Sequence, residues 1–249
     1  MSENPSHNKY LEATKYKNLS PSGQQQGHPQ PSLELPCDPR LQRIALPKSA
    51  EIKLPEITLR EAVERRISRR DYARQPLSLE EFAYLLWMTQ GIKLVKEGKL
   101  TNRNVPSAGA RHAFETYLAV NLVEGLQAGL YRYLALSHEL VALHHEPDFA
   151  NRLKVSCRNQ EHVLNSAVTF IWVSVLERMT WRYSERSYRY LFLDAGHVCQ
   201  NLYLVAEQIH CGVCAIAAFD DDEVNSLLGL DGERMFVTYL ASLGKLASV

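Results

Sequence analysis

Apolar positions along this chain follow two rhythms. Phe82, Leu85, Leu86 and Met88/Thr89 recur every three to four residues, as do Leu191, Ala195, Val198, Leu202, Val205 and Ile209 within 188–209. Both stripes predict amphipathic helices, the second long enough to be the central helix of a domain. Thr58-x-x-Glu61 and Ser78-x-x-Glu81 have the spacing in which a hydroxyl and a carboxylate satisfy each other's free amides, so a helix starts at each. Gly91 suits the end of the second. Asp220, Asp221 and Asp222 lead into a further helix reaching Leu228, with carboxylates at the positive end of its dipole. The other rhythm is that of short β-branched or aromatic runs bounded by Gly, Asn, Ser or Asp, at 114–122, 130–134, 140–144, 168–175 and 236–240. These predict strands. Helices mixed with non-adjacent strands give an α+β domain.

The first 56 residues break both rhythms. Pro21, Pro29, Pro31, Pro36, Pro39, Pro47 and Pro55 punctuate them, with a Gln/Gly/Ser patch over 22–30. Ile44 with Leu46 and Ile52 with Leu54 alternate like a short edge strand. Residues 1–56 therefore read either as an extended arm that wraps the core or a partner, or as partly disordered chain. Residues 57–249, which show no internal repeat, read as one domain.

Composition narrows the partners. Lys and Arg number 28 and Asp and Glu 28, so no global field draws the protein to nucleic acid or anionic lipid. The longest apolar stretch, 167–176, is interrupted by Thr169 and Ser174 and is too short to span a bilayer, while the start at Met1 is polar. Five cysteines at irregular spacings do not form the framework of a secreted domain. The expectation is a cytoplasmic protein with a small-molecule or peptide ligand, without nucleic acid or membrane.

Candidate chemistry begins at the end of the first predicted helix, where Arg65, Arg66, Arg69 and Arg70 surround Ser68. Such a cluster can hold a phosphate through charge-assisted bonds, although an arginine run is also an ordinary solvated face. Pro106, Ser107, Ala108 and Gly109 form a small-residue loop that permits close approach of backbone to a flat ligand, or serve simply as a turn before the strand at 114.

Taken in order, these segments resemble the nitroreductase family of FMN-dependent oxidoreductases. Arg66-x-Ser68-x-Arg70-x-Tyr72 followed by Pro76-Leu77-Ser78 is similar to the family's N-terminal flavin motif, and Pro106-Ser107-Ala108-Gly109-Ala110 to its Pro-Ser loop. Gly129-Leu130-Tyr131-Arg132-Tyr133, Arg189-Tyr190, Ala195-Gly196-His197, Gln200-Asn201-Leu202 and Ala218-Phe219-Asp220-Asp221 resemble the SagB/ThcOx-type branch, which includes azoline oxidases. The likeness runs over roughly 58–245.

The resemblance implies a mainly antiparallel central sheet flanked by helices and a homodimer that shares two FMN sites at its interface. It implies that Arg66, Ser68 and Arg70 hold the phosphate and the pyrimidine edge, and that the Pro106–Gly109 loop, usually delivered by the second subunit, lies on the ring. Ala217 and Ala218 would face the reactive flavin nitrogen, with Gln160 and Lys245 as further polar contacts. Many members carry Glu-Gly where Ala217 and Ala218 stand, which weakens the case for simple NAD(P)H-driven nitro reduction. Arg182-Tyr183 is the counterpart of a Lys-Tyr pair proposed as a base in the azoline oxidases. Arginine is a poor proton acceptor, which leaves Tyr183, Glu185 or His197 for that role. The pair also reads as the polar entry to a helix. An NAD(P)H-dependent nitro or quinone reductase and a catalytically silent flavin- or peptide-binding scaffold remain alternatives. Without a Gly-x-Gly-x-x-Gly fingerprint, NAD(P)H would visit the flavin only transiently.

Three further clusters read as structural rather than metal-binding. Cys211 and Cys214 lack a second pair to complete a zinc site. His144-His145-Glu146 ends a predicted strand, and Asp220 to Asp222 open a helix. No metal site is expected.

Overall fold

The structure, a computed structural model, describes residues 5–247. In chain order it contains α1 (Pro5–Ala13), β1 (Arg43–Ala45), α2 (Leu59–Arg65), α3 (Leu79–Gln90), β2 (Ile92–Lys96), β3 (Leu100–Arg103), β4 (Phe114–Val120), β5 (Gly129–Leu134), β6 (Glu139–His144), α4 (Phe149–Ser156), α5 (Glu161–Asn165), β7 (Val168–Val175), α6 (Leu176–Tyr183), α7 (Ser187–Gln208), β8 (Cys211–Ile216), α8 (Asp221–Leu227) and β9 (Met235–Lys245).

Seven strands form one sheet in the order β1-β6-β5-β4-β7-β9-β8, each pair antiparallel. β4 and β7 lie at its centre and are buried along their whole length because both faces are covered. Alternate residues of β7 therefore feed two cores. Val168, Phe170 and Trp172 join Phe82, Leu86, Leu191 and Leu202 under α3 and α7. Ile171 and Val173 join Phe149, Leu153, Val163 and Val224 under α4, α5 and α8. The result is the expected α+β architecture, an antiparallel sheet between two helical layers.

Helix starts follow their caps. Thr58 and Ser78 both form complete capping boxes with Glu61 and Glu81, and Asp220 caps α8 by accepting from the Glu223 amide at 3.0 Å. Most predicted strand ends differ by no more than two residues, as where β4 stops at Val120, but β9 runs five residues beyond the expected 240, to Lys245. Three classes of element escape the sequence rhythm. The hairpin β2–β3 is largely exposed, the helices α4, α5 and α6 are short, and β8 hides under the reading of Cys211 and Cys214 as a pair. Three positions apart on a strand, those two cysteines point to opposite faces.

The segment before α2 is fastened at several points. Ile44 stands opposite Leu140, so the alternation at 44–46 forms an edge strand on β6. The Arg178–Glu115 pair, 2.5 Å apart and buried, reaches the same segment: Arg178 Nε donates to the Ser32 carbonyl at 2.8 Å, and Glu115 accepts from the Leu35 amide at 2.8 Å. Arg132 adds bonds to the carbonyls of Leu35 (3.1 Å) and Pro36 (3.0 Å). Main-chain groups that form no ladder in this stretch are thus paired by charged side chains of the sheet and of α6.

Candidate active site

The arginine-rich segment leaves α2 and crosses the ends of β8 and β9. Ser68 bridges to Val213, the Arg69 amide donates to the Val213 carbonyl at 2.9 Å, and the Ala73 amide donates to the Lys245 carbonyl at 2.8 Å. Glycines permit the crossing. A β-carbon at Gly212 would meet Arg69 Cβ at 2.7 Å, and one at Gly244 would meet the Tyr72 ring at 2.7 Å.

Arg65 pairs with Glu61, whereas Arg66, Arg69 and Arg70 take part in no salt bridge among the described residues. Arg66 lies over the Tyr203 ring at 5.4 Å, and Arg69 Nε is buried without a hydrogen-bond partner. Burial raises the pKa of the nearby Glu207 carboxyl, an effect that Arg69, Arg65 and Arg66 oppose through space. Ser68 shares a 2.9 Å hydrogen bond with the Tyr203 hydroxyl, which also accepts from the Ala215 amide at 2.9 Å. Tyr203 thus fixes the motif to α7 and to β8.

Hydrogen bonds carry the motif onward. The Tyr72 hydroxyl meets Ser242 Oγ at 2.8 Å, Ser242 Oγ meets His162 Nδ1 at 2.8 Å, and His162 Nε2 meets Gln160 Oε1 at 3.1 Å. Gln160 Nε2 then donates to the Ala218 carbonyl at 2.9 Å. Burial, reinforced by the Arg70 charge, lowers the His162 pKa, while burial raises the Cys214 thiol against the pull of Arg70. Arg70, Gln160, Ala218 and this chain therefore share one neighbourhood, in which Ala217 and Ala218 are exposed.

Pro106, Ser107, Ala108 and Gly109 lie elsewhere, anchored by Asp194 of α7. Ser107 Oγ donates to Asp194 at 2.6 Å, the Ala108 amide donates to it at 3.2 Å, and the His112 amide donates back to Ser107 Oγ at 2.9 Å. Burial raises the Asp194 pKa, and these donors counter it. Asp194 and Tyr203 are nine positions apart on α7, which at about 100° per residue puts them roughly 180° apart on either side of its buried stripe. Within one chain the loop and the Arg66–Tyr72 motif are thus held on opposed flanks of the same helix. Near its N-terminal end α7 exposes Phe192 and Leu193, and a β-carbon at Gly196 would meet open space.

Arg182 and Tyr183 end α6 instead of opening the next helix, just before Ser184 adopts φ +50°. They press on the loop: a β-carbon at Gly109 would lie 2.4 Å from the Tyr183 hydroxyl and 2.8 Å from Arg182 Nε. Glu185 does not suit a base role. It accepts from the Ser20 amide (3.0 Å), Ser20 Oγ (2.5 Å) and Ser184 Oγ (2.6 Å), bonds that pull its pKa down to about 2. Lys245 stands apart as well, its ammonium paired with Glu81 and bonded to the Ile209 carbonyl at 3.0 Å. Cavities of about 730 and 610 Å3 lie between α6 and residues 16–31. Tyr203, His162, Ser242 and Asp194 escaped the sequence reading, because none lies within a local motif.

Among the described residues no helix is long and apolar enough to cross a membrane. The model of the nitroreductase family matches residues 63–245. The nitroreductase-like protein MJ1384 of Methanocaldococcus jannaschii is 33% identical over 181 residues, covering 72% of this chain and 89% of its own. The trifolitoxin-processing protein TfxB of Rhizobium leguminosarum bv. trifolii is 30% identical over 156 residues, covering 59% of this chain and 41% of its own. Among solved structures, a nitroreductase-like protein of Anabaena variabilis superposes with TM-score 0.70 at 30% identity over 84% of this chain and 42% of its own. A protein of Desulfovibrio desulfuricans solved in complex with FMN shares the fold, with TM-score 0.54 at 18% identity over 78% of this chain and 88% of its own. The match thus spans less than half of the Rhizobium and Anabaena proteins. The family model's reach across most of the domain and the extent of the Methanocaldococcus match make this chain a member of the nitroreductase family.

Proposed function

We propose that the chain is an FMN-dependent oxidoreductase that works as a homodimer on a small molecule or a modified peptide, in the manner of the SagB/ThcOx-type dehydrogenases. The observation that carries this reading is the strip of Arg66, Ser68, Arg69 and Arg70 laid over the ends of β8 and β9, its guanidinium groups outside any salt bridge among the described residues and Arg69 Nε buried without a partner. Such donors fit a phosphate. Arg66, Ser68 and Arg70 would hold the phosphate and the pyrimidine edge, and Gln160 would steady the main chain of Ala217 and Ala218 beside the ring. When bound, FMN supplies two-electron redox chemistry, while the protein supplies orientation and access. Lys245 ranks below these residues because Glu81 already neutralises it.

The opposed placement of Asp194 and Tyr203 supports the dimer. A Pro106–Gly109 loop on the far flank of α7 from its own arginine motif reaches such a motif most simply in a second copy, and the exposed Phe192 and Leu193 give that copy an apolar surface to cover. Tyr183, against Gly109, is the group best placed to exchange a proton at the substrate. The likeness to a toxin-processing protein supports a peptide-derived substrate.

The visible absorption spectrum of the purified protein, with the released chromophore identified by mass, tests the cofactor. Flavin bands from FMN are expected. A colourless protein that fails to take up added FMN overturns the reading.

A further inference from the structure

Four arginines gather where the 106–111 loop, the end of α6, the start of α7 and the N-terminal segment meet. They are Arg111, Arg182, Arg186 and Arg189, and among the described residues none is in a salt bridge. Three are tied down by neutral partners. Arg111 lies over Trp181 at 5.2 Å and donates to the Gly109 carbonyl at 3.1 Å. Arg186 lies over Tyr16 at 4.5 Å and donates to the Thr14 carbonyl at 2.6 Å, and Arg189 donates to Thr14 Oγ1 at 2.7 Å. Arg182 differs: it is an exposed residue whose guanidinium lies 5.8 Å from the centre of the Tyr183 ring and donates to no acceptor among the described residues.

The one carboxylate close by in sequence does not compensate it. Glu185 is turned to the Ser20 amide and to two serine hydroxyls. Arg182 and Arg186 line the cavity of about 610 Å3 together with Tyr16, Tyr183, Ser20 and Ser22, and no Asp or Glu contributes to its wall. A pocket of that size suits a small molecule or the end of a peptide. Its wall combines two cations, several hydroxyls and two phenol rings, among them Tyr183, whose hydroxyl comes against Gly109.

We infer that this cavity receives the carboxylate of an anionic substrate and that Arg182 is the guanidinium that recognises it. Arginine cannot accept a proton at ordinary pH, but its planar fork matches a carboxylate through two parallel N–H donors. The position read as half of a base pair thus becomes an anchor, which leaves proton exchange to Tyr183. The inference rests on the proposed function only in calling the ligand a substrate.

Calorimetric titration of the full-length protein as purified, with 4-nitrobenzoate and separately with 4-nitrobenzamide, tests it, because the two probes share a ring and differ in charge. The wild type is expected to bind the benzoate roughly tenfold more tightly than the amide. Arg182→Gln should abolish that preference while binding the amide as before, and Arg182→Lys should keep part of it. Equal binding of the two probes by the wild type, or a preference that survives in Arg182→Gln, overturns the inference. Flavin content, read from the visible spectrum of the same samples, reports on the cofactor separately. Full flavin with no anion preference sinks this inference alone, and anion preference without flavin sinks the other.

Discussion

The Tyr183 hydroxyl sits where the β-carbon of any residue other than glycine at position 109 would come within 2.4 Å of it. Gly109 also holds φ +56°, a region costly for side chains. Gly109→Ala is therefore expected to cost about 1–2 kcal/mol from the backbone alone, a fall in melting temperature of roughly 2–8 °C for a domain of this size. The contact with Tyr183 adds to that. Thermal unfolding of Gly109→Ala and of Gly109→Ala/Tyr183→Ala, each against its parent, separates out the Tyr183 contact: the double variant should recover that part and keep the backbone part and the contact with Arg182. A single variant as stable as the wild type would show that the loop shifts freely.

Tyr203 links three elements through one hydroxyl. Tyr203→Phe keeps the ring under Arg66 but leaves the Ala215 amide and Ser68 Oγ without that partner. Ser68 is exposed and Ala215 half-buried, so water can replace part of what is lost and the cost is about 0.5–1.5 kcal/mol. On the proposed reading the arginine strip loses its register, so FMN affinity should fall roughly tenfold. Equilibrium dialysis against FMN measures this, and unchanged affinity would place the phosphate elsewhere.

What the sequence disclosed, and what it withheld, follows from the range of each signal. β7 was legible because its eight consecutive buried residues form a run rich in β-branched and aromatic side chains, broken only by Thr169 and Ser174, and α7 because its stripe repeats over six turns. β2 and β3 were not, since a hairpin that exposes most of its residues has no apolar alternation to read. α6 was lost because Leu176–Tyr183 is short and half polar, its buried Arg178 looking like a surface residue until Glu115 is seen across from it. The arginine motif and the Pro-Ser loop were visible as local strings. Tyr203, Asp194, His162 and Ser242 were not, because each matters through a partner tens of residues away.

The segment at 32–36 should depend on the buried ion pair. Arg178→Met strands the Glu115 carboxylate and removes the donor to the Ser32 carbonyl. Breaking one side of a buried pair costs about 3–5 kcal/mol, whereas replacing both sides with apolar groups of similar volume is often neutral. Urea unfolding should show that loss in Arg178→Met and much of it restored in Arg178→Met/Glu115→Leu. Limited proteolysis reads the local effect, with new cleavage expected near 28–40 in the single variant. Equal protease resistance would mean that β1 and Arg132 suffice to hold the segment.

Acid should loosen the Pro-Ser loop through His112. Its ring is buried, and burial, reinforced by the Arg103 and Arg111 charges, pushes its pKa down to about 3 from an ordinary value near 6.5. Between those values the unfolded chain binds a proton that the folded chain does not, so stability falls as pH drops through this window and is fully present above it. The slope from this one group approaches 1.4 kcal/mol per pH unit, discounted for its residual exposure. Glu34, Asp194 and His138 titrate differently in folded and unfolded chains over neighbouring pH values, so the wild-type curve alone does not isolate His112. The difference between the wild type and His112→Asn does. Urea midpoints from pH 7 to pH 4 should converge as pH falls, because the variant has no proton to take up there. Since the His112 amide is bonded to Ser107 Oγ, hydrogen exchange at 107–112 should quicken in the wild type over the same window and stay level in the variant. Parallel urea curves would mean that protonated His112 finds a place in the fold beside two arginines, which burial and charge both oppose.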